Sequence, residues 1–572
     1  MFPSVRTIHT VLPASLLWGL VACGGGGGGG SPPPPAGPNQ NPELAQSNGT
    51  QRAIQFHDFD YDPTQGGRTF IDPDGDRLSY SITFSGNANG LRASGARVVG
   101  RPQTLDTVTV TLSAQDSRGG GAVNVFYIDV AANGVPQVSG ERKDKLVQVG
   151  EHFSFDAAPF AARIDDPDGD PLSYQVALRG APGVTASGTQ VSGALSAVGA
   201  IEVKVTGSDA YGGSAETVFV IAAPGAPPGT PLLPATPFLY ADESLPLPDE
   251  FRTSSEIRIP LWDTQPPGNR TTDAGAALGR VLFHDKRLSI TNNLACASCH
   301  QREHGFASPE RFNTGAIGVP LTRNAMALAN ARYNTHGSWF VDLRVLSIQE
   351  AARQALTKPE ELGNTLPAIA AKLQATAFYA PLFEAAFGTP EIDSVRILRA
   401  LEQYVQALIS YRAKYDVACD TVGGVLKDCA AGLTAQEARG REIFTDGSMH
   451  FTCGHCHSLP SGSNSWFANN GIDAQFTDPG AGHGQFRPAS LRNIALTAPY
   501  MHDGRFATLR EVIDHYDHDV KNSPDLDTLL RDSNGNPVQR NFSEDDKVAL
   551  EAFLNTLTDD AMLSDPKFAD PF

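Results

Sequence analysis

The chain has 572 residues, 41% of them hydrophobic and 19% charged, which suits folded protein with several buried cores and about four domains at about 150 residues each. A formal charge of −19 has the wrong sign for gripping a phosphate backbone, so nucleic acid is not an expected partner. Neither wholesale disorder nor a multi-span membrane protein fits this balance.

The first expected element, residues 1–23, is a processed leader. Arg6 gives a positive start, Val11 to Ala22 is a short apolar run, and Leu20-Val21-Ala22-Cys23 sets small residues before a cysteine. The run is too short to span a bilayer comfortably. Leu-Val-Ala-Cys resembles a bacterial lipobox, which implies a lipid on Cys23 as the only membrane contact and a periplasmic or cell-surface lipoprotein of the bacterial envelope. Ordinary cleavage near a chance cysteine is the alternative. Seven glycines and a Ser-Pro-Pro-Pro-Pro run then open a tether, 24–49, whose composition cannot build a core.

Two β modules follow, 50–132 and 133–224. The segment Asp72-Pro73-Asp74-Gly75-Asp76 recurs as Asp166-Pro167-Asp168-Gly169-Asp170, 94 residues on. Val108, Val110 and Leu112 alternate in one copy and Ile201, Val203 and Val205 in the other, each before an aspartate (Asp116, Asp209) and a Gly-Gly turn. This period of two predicts β-sandwiches. The modules resemble immunoglobulin-like or cadherin-like repeats of bacterial surface proteins. Their aspartates suit either a hard cation or a polar turn, and neither module pairs a nucleophile with a base, so they are expected to be spacers or adhesion surfaces. A Pro/Gly-rich linker is expected over 225–269.

The reactive residues fall in the second half, where 11 of the 14 histidines lie between His284 and His518. Cys296-Ala-Ser-Cys299-His300 and Cys453-Gly-His-Cys456-His457 both spell C-x-x-C-H. Two thiols at this spacing can add to the two vinyl groups of one haem, and the following histidine can ligate its iron from below. Two such motifs in an exported chain favour two covalently bound haem c groups over a dithiol or half a zinc site.

Gly279-Arg280-Val281-Leu282-Phe283 precedes the first motif and Gly440-Arg441-Glu442-Ile443-Phe444 the second. Leu398, Leu401, Val405 and Leu408 keep helical spacing after the first, as do Leu550, Phe553, Leu554 and Leu557 after the second. Thr434-Ala-Gln-Glu437 reads as a capping box. The expected fold is therefore multidomain: two all-β sandwiches, then two mainly α-helical cytochrome c domains, 270–415 and 434–560, with an inter-domain loop at 416–433 and a tail at 561–572. Cys419 and Cys429, in that loop, suit a disulfide in an oxidising compartment, two free thiols being the alternative.

Residues 270–560 resemble the di-haem bacterial cytochrome c peroxidase and MauG family. Beyond the two motifs, the resemblance is carried by Cys299-His-Gln-Arg-Glu-His-Gly-Phe-Ala307, Arg323-Asn-Ala325, Lys358-Pro-Glu-Glu361 and Leu491-Arg-Asn-Ile-Ala-Leu-Thr-Ala-Pro-Tyr-Met-His-Asp-Gly-Arg-Phe506. It implies that the first haem meets hydrogen peroxide while the second stores or relays electrons. His300 and His457 would be the proximal ligands, and Glu361 the distal acid/base that moves a proton between the peroxide oxygens. It further implies calcium between the haems, held by Asn324, Thr497 and Pro499.

On the second haem the peroxidases place a methionine where this chain has Tyr516; the MauG branch has a tyrosine there, so Tyr516 is preferred over Met501, His515 and His518. A phenolate favours ferric and higher oxidation states. The chain also departs from the family. Val341 stands where a tryptophan lies between the haems, unless Trp339 replaces it, and Ala351 and Ala355 stand at polar pocket positions. The histidine that caps many resting peroxidases aligns near Ala316, with His304 and His336 as nearby substitutes.

The expected function is an exported di-haem c oxidoreductase that reduces hydrogen peroxide to water. Its electrons would come from a small donor protein of cytochrome c or cupredoxin type, or directly from an oxidised substrate. MauG-like modification of a protein or envelope polymer is a second reading, and a non-peroxidatic electron-transfer cytochrome or surface adhesion protein a third.

Overall fold

The computed structural model describes residues 37–247, 251, 263–334, 337–419, 421–422, 425–426, 429, 432–445, 452–457 and 467–572. Cys23 with its leader, and His336, lie outside them. No helix among the described residues is long and apolar enough to cross a membrane. The chain divides into two compact units, Met1–Asn133 and Gly134–Phe572.

The first unit is one β module of two main sheets, with a further two-stranded pair of Glu43–Leu44 and Phe70–Ile71. Strands β1 (Gln51–Ile54), β3 (Ser79–Ser85), β6 (Val108–Gln115) and β7 (Gly121–Ala131) form one sheet in the order β1-β7-β6-β3, and β2 (Phe59–Tyr61), β4 (Leu91–Ser94) and β5 (Arg97–Gly100) the other in the order β2-β5-β4. The alternation read from the sequence sets the register: Val110 pairs with Phe126, and Val108, Val110 and Leu112 are all buried between the sheets. The opposite face of β7 is open, with Val123, Val125 and Tyr127 exposed.

The second module repeats this topology inside the second unit. Strands β8 (Lys145–Leu146), β10 (Ser173–Gly180), β13 (Gly199–Ser208) and β14 (Ser214–Ala223) run in the order β8-β14-β13-β10, facing β9 (Phe153–Asp156), β11 (Val184–Ser187) and β12 (Gln190–Gly193). In both modules the Asp-Pro-Asp-Gly-Asp segment is a turn closed on itself. Asp72 accepts from the amides of Asp74 and Asp76, and Asp166 from those of Asp168 and Asp170. Each module also keeps a group of aspartates close enough to share a cation, Asp72, Asp74 and Asp76 in the first and Asp166, Asp170 and Asp209 in the second.

The two modules differ at their last strand. In β14 the residues Val220 to Ala223 are buried on both faces, because Ala200, Val220 and Ala222 pack against Ile290, Ala316 and Ile317 of the helical region. Each large side chain so covered contributes about 1.5–3 kcal/mol. The second module is therefore not a free spacer.

The helical region holds two cores built by one device. Helix α1 (Asp273–His284), started by Thr272 accepting from the Gly275 amide, crosses α5 (Ser394–Gln406) at Gly279, where a Cβ would lie 2.0 Å from the Ala400 carbonyl oxygen. Helix α6 (Ala435–Thr445) crosses α8 (Glu544–Asn555) at Gly440, where a Cβ would lie 1.9 Å from the Ala549 carbonyl oxygen. The repeated glycines thus let paired helices approach, while Phe283 and Phe444 fill the adjoining cores. Between α1 and α5 run α2 (Ile348–Thr357), α3 (Leu366–Gln374) and α4 (Tyr379–Phe387); α7 (Leu509–Asp514) precedes α8. Thr434 and Glu437 exchange the reciprocal bonds of the expected capping box.

Two boundaries need correction. The stretch expected to be a linker, 225–269, is packed at its described residues: Tyr240 is fully buried in the first helical core and donates to the Lys567 carbonyl at 2.7 Å. The expected tail, 561–572, enters the same core through Met562 and Phe568. Proline and glycine mark irregular backbone, which is no guarantee of exposure. A disulfide joins Cys419 to Cys429.

Candidate functional site

Beneath the first C-x-x-C-H motif lies a cavity of about 960 Å³, lined among others by Cys296, Cys299, His300, Trp339, Glu361 and Arg487. That is the upper end of the range for cofactor clefts, about 300–1,000 Å³. Cys296–Cys299 is a single helical turn, and the His300 amide bonds the Cys296 carbonyl at 2.9 Å. The loop then folds back through left-handed Gly305 and Phe306, so that the Phe306 carbonyl oxygen lies 3.0 Å from His300 Nδ1. A carbonyl can only accept, so Nδ1 carries the proton and Nε2 is left bare, as a metal ligand requires. Both thiols are free, and burial pushes them up, Cys296 to about 12 and Cys299 to about 11.

The second motif repeats this geometry. Cys453–Cys456 is one helical turn, and His457 Nδ1 lies 2.9 Å from the Ala489 carbonyl oxygen, which fixes the same tautomer. Burial raises the Cys456 thiol to about 11.

Glu361 sits in the turn after α2, at the wall of the first cavity. Burial raises its carboxyl above the ordinary value; Lys358, 4.0 Å away, and Arg344 pull it back, and Glu360 raises it further. Ala351 and Ala355 also line the cavity, beside a charged stretch of wall formed by Arg344, Lys358, Glu360 and Glu361. The Ala316 amide donates to the Glu361 carbonyl at 2.7 Å, which puts Ala316 behind the turn. His304 does not line the cavity; its Nδ1 lies 3.3 Å from the Leu496 carbonyl oxygen.

Arg487 was not foreseen from the sequence. It lines the cavity, half-buried, with its Nη1 donating to the Ser338 carbonyl at 3.4 Å and its Nε unpartnered, and burial lowers it to about 10. The unpartnered Trp339 Nε1 lines the same space. A buried guanidinium without a carboxylate is costly unless an anion joins it. Two thiols, a histidine with a bare Nε2 and a waiting cation together fit haem with its acidic side chains.

Val341 lines the cavity, and its carbonyl accepts from the Arg487 amide at 2.9 Å. Nearby, Arg323 bridges Asp342 (2.5 Å) and Asp478 (2.7 Å) and lies over Phe486, whose ring stacks on His502 at 3.9 Å. The Asn324 side chain donates to the Glu310 carbonyl at 2.9 Å, Thr497 donates to Ile494 at 3.2 Å, and the Ala498–Pro499 bond is cis.

On the second motif's side, the Tyr516 and Met501 side chains meet at one amide. Asn470 Nδ2 donates to the Tyr516 hydroxyl at 3.2 Å and to the Met501 sulfur at 3.4 Å. Burial, then Asn470 acting the other way, and the nearby Cys456 and Cys453 leave Tyr516 raised to about 12. Tyr516 occupies a π-helical turn, His515–Asp519, a geometry frequent at functional sites. His515 is turned to the Asn470 carbonyl at 3.2 Å, and His518 is half exposed against Asp517.

The family model of the di-haem cytochrome c peroxidase matches residues 273–421. The methylamine utilization protein MauG of Methylorubrum extorquens is 32% identical over 313 residues, covering 53% of this chain and 83% of that protein. The cytochrome c551 peroxidase of Nitrosomonas europaea is 27% identical, covering 50% of this chain and 80% of its own length. Among solved structures, a MauG-like protein associated with microbial copper homeostasis is 29% identical with a TM-score of 0.49, covering 56% of this chain and 99% of that one.

Proposed function

This chain belongs to the di-haem cytochrome c peroxidase and MauG family of oxidoreductases, and from that premise we propose that it reduces hydrogen peroxide to water in the bacterial cell envelope. The observation that carries the reading is Glu361, a half-buried carboxyl with a raised pKa, on the wall of the cavity that His300 and its cysteines line.

Cys296 and Cys299 would hold one haem with His300 on its iron, and Cys453 and Cys456 a second with His457. Bound haem would supply the oxidation–reduction chemistry: one peroxide, two electrons and two protons give two waters. Glu361 accepts a proton from one peroxide oxygen and returns it to the departing one; its raised pKa brings the two protonation states closer in free energy at neutral pH. Arg487 would neutralise the acidic side chains of bound haem, and Ala351 and Ala355 leave only methyl groups on their part of the wall. Electrons would enter from a small cytochrome c or cupredoxin-type donor by way of the second haem, where Tyr516 is the proposed distal ligand. Calcium at Asn324, Thr497 and Pro499, and a lipid on Cys23, belong to the same proposal.

The test is Glu361→Gln in the haem-loaded protein. Peroxide turnover should fall about 10²–10⁴-fold while chemical reduction of both haems persists. An unchanged rate would remove Glu361 from the mechanism.

A second reading, MauG-like oxidation of a protein or envelope polymer, is favoured by Tyr516, whose hydroxyl accepts from Asn470 Nδ2 at 3.2 Å. Val341 in place of a relay tryptophan weighs against it. Transfer of oxidising equivalents from peroxide to a protein substrate would separate the two.

A further inference from the structure

The second β module holds the turn that carries Glu361 through the side chain of Arg142. The first helical half leaves two carbonyls, Thr357 at the end of α2 and Gly363 beyond Glu361, at the two ends of the turn that carries the glutamate. Within that turn the amides of Glu361 and Gly363 both bond the Lys358 carbonyl, at 3.0 and 2.9 Å, and Leu362 bonds Ala355. Carbonyls at a helix end have no intrahelical donor and need one from elsewhere.

Arg142, from the segment leading into β8, supplies it to both. Its Nη1 donates to Thr357 at 2.8 Å and its Nη2 to Gly363 at 2.6 Å. The third edge of the guanidinium, Nε, donates to Asp144 at 2.7 Å, and the same carboxylate oxygen accepts the Val220 amide of β14 at 2.7 Å. Both side chains are mostly buried, 17% and 10% exposed. A planar fork with all three edges engaged has little freedom.

The surrounding interface is built for this contact. Ala200, Val220 and Ala222 are fully buried against Ile290, Ala316 and Ile317. Gly180, at φ 130°, lies so close that a Cβ would come within 2.7 Å of the Ile317 carbonyl oxygen. The next residue back, Arg179, lines the cavity itself.

We propose that Arg142 is a positioning residue for Glu361, and that the second β module is thereby a working part of the peroxide site. This rests on the assignment of Glu361 as the proton carrier. Arg142 pins the two ends of the turn from the sheet, and the Ala316 amide holds the Glu361 carbonyl from the other side. Loss of one pin frees the glutamate to move, and a displacement of about 1 Å costs up to about a hundredfold in rate.

The test uses the full haem-loaded chain with Arg142→Ala and the conservative Arg142→Lys, each alone and with Glu361→Gln. Hydrogen exchange should accelerate at the amides of residues 361–364 in Arg142→Ala while peptides containing Cys296–His300 and Cys453–His457 keep the parent rate. The kcat for peroxide should fall about tenfold to a hundredfold with KM within about twofold. Arg142→Lys, which reaches one carbonyl at a time, should recover part of both, and it remains informative if Arg142→Ala fails to fold. In the Glu361→Gln background, Arg142→Ala should cost less than about a further twofold, because the two act as one unit. Unchanged exchange at 361–364, or an undiminished loss in the Glu361→Gln background, would overturn the proposal. Full turnover by Glu361→Gln alone would instead overturn the assignment on which it rests.

Discussion

Gly279→Ala and Gly440→Ala pit two effects of opposite sign against each other. Intrinsic propensity favours the change, since alanine in a helix interior is better than glycine by about 1 kcal/mol. Packing opposes it. The new Cβ at 279 would sit 2.0 Å from the Ala400 carbonyl oxygen and 2.7 Å from Tyr404 Cβ, and at 440 it would sit 1.9 Å from the Ala549 carbonyl oxygen and 2.8 Å from Phe553 Cβ. In each case the obstacle is the partner helix's backbone, which cannot rotate away. The helices must move apart by more than 1 Å to reach ordinary contact distance, at about 1–3 kcal/mol for such overpacking. The outcome should sit at the upper end, so both variants should be destabilised by about 1–2 kcal/mol after the propensity gain. Guanidinium unfolding followed by haem absorbance reads the midpoint. A midpoint raised in either variant, as propensity alone demands, would refute the close-crossing argument for that half.

Other perturbations address the charge networks. Arg323's hydrogen bond, against the opposing effect of burial, holds the Asp478 carboxyl below its ordinary value, so this contribution to stability is complete above about pH 4 and lost as pH falls through the lower folded value. Arg323→Gln should therefore flatten the loss of melting temperature between about pH 4 and pH 2, and equal slopes for parent and variant would contradict it. Arg332 is fully buried between Asp242 (2.7 Å) and Asp263 (2.6 Å), so Arg332→Met leaves Asp263 buried without its cation and should cost about 3–5 kcal/mol by denaturant titration. A change within about 0.5 kcal/mol would show that the pair adds nothing beyond its own desolvation.

The two β modules were legible because a buried strand face writes a period of two, and Val108, Val110, Leu112, Ile201, Val203 and Val205 all occupy their expected inner positions. The chemistry-bearing motifs were legible because C-x-x-C-H fixes three side chains on one turn, and the repeated glycine marked both helix crossings. What the sequence concealed lies in contacts between distant segments. The run Val218 to Ala223 is apolar without a gap, whereas the matching strand of the first module carries Asp129; that difference was a signal that one outer face is covered. Tyr240, Met562 and Phe568 join the first core from irregular segments, where no periodicity announces burial. Arg487 and Arg142 take their roles from carbonyl acceptors and cavity space contributed by residues far away in the chain, and their own sequence neighbours do not mark that.

The central claim is that peroxide reacts at the site formed by Cys296, Cys299, His300 and Glu361, while the second site, with Tyr516, does not meet it. Electron paramagnetic resonance of the oxidised, haem-loaded protein before and after one equivalent of peroxide, with Tyr516→Phe alongside, tests it most directly. The account predicts a high-spin haem signal that peroxide abolishes, beside a low-spin signal that Tyr516→Phe alters. Two low-spin haems indifferent to peroxide, even after partial reduction, would contradict it and make the chain an electron carrier.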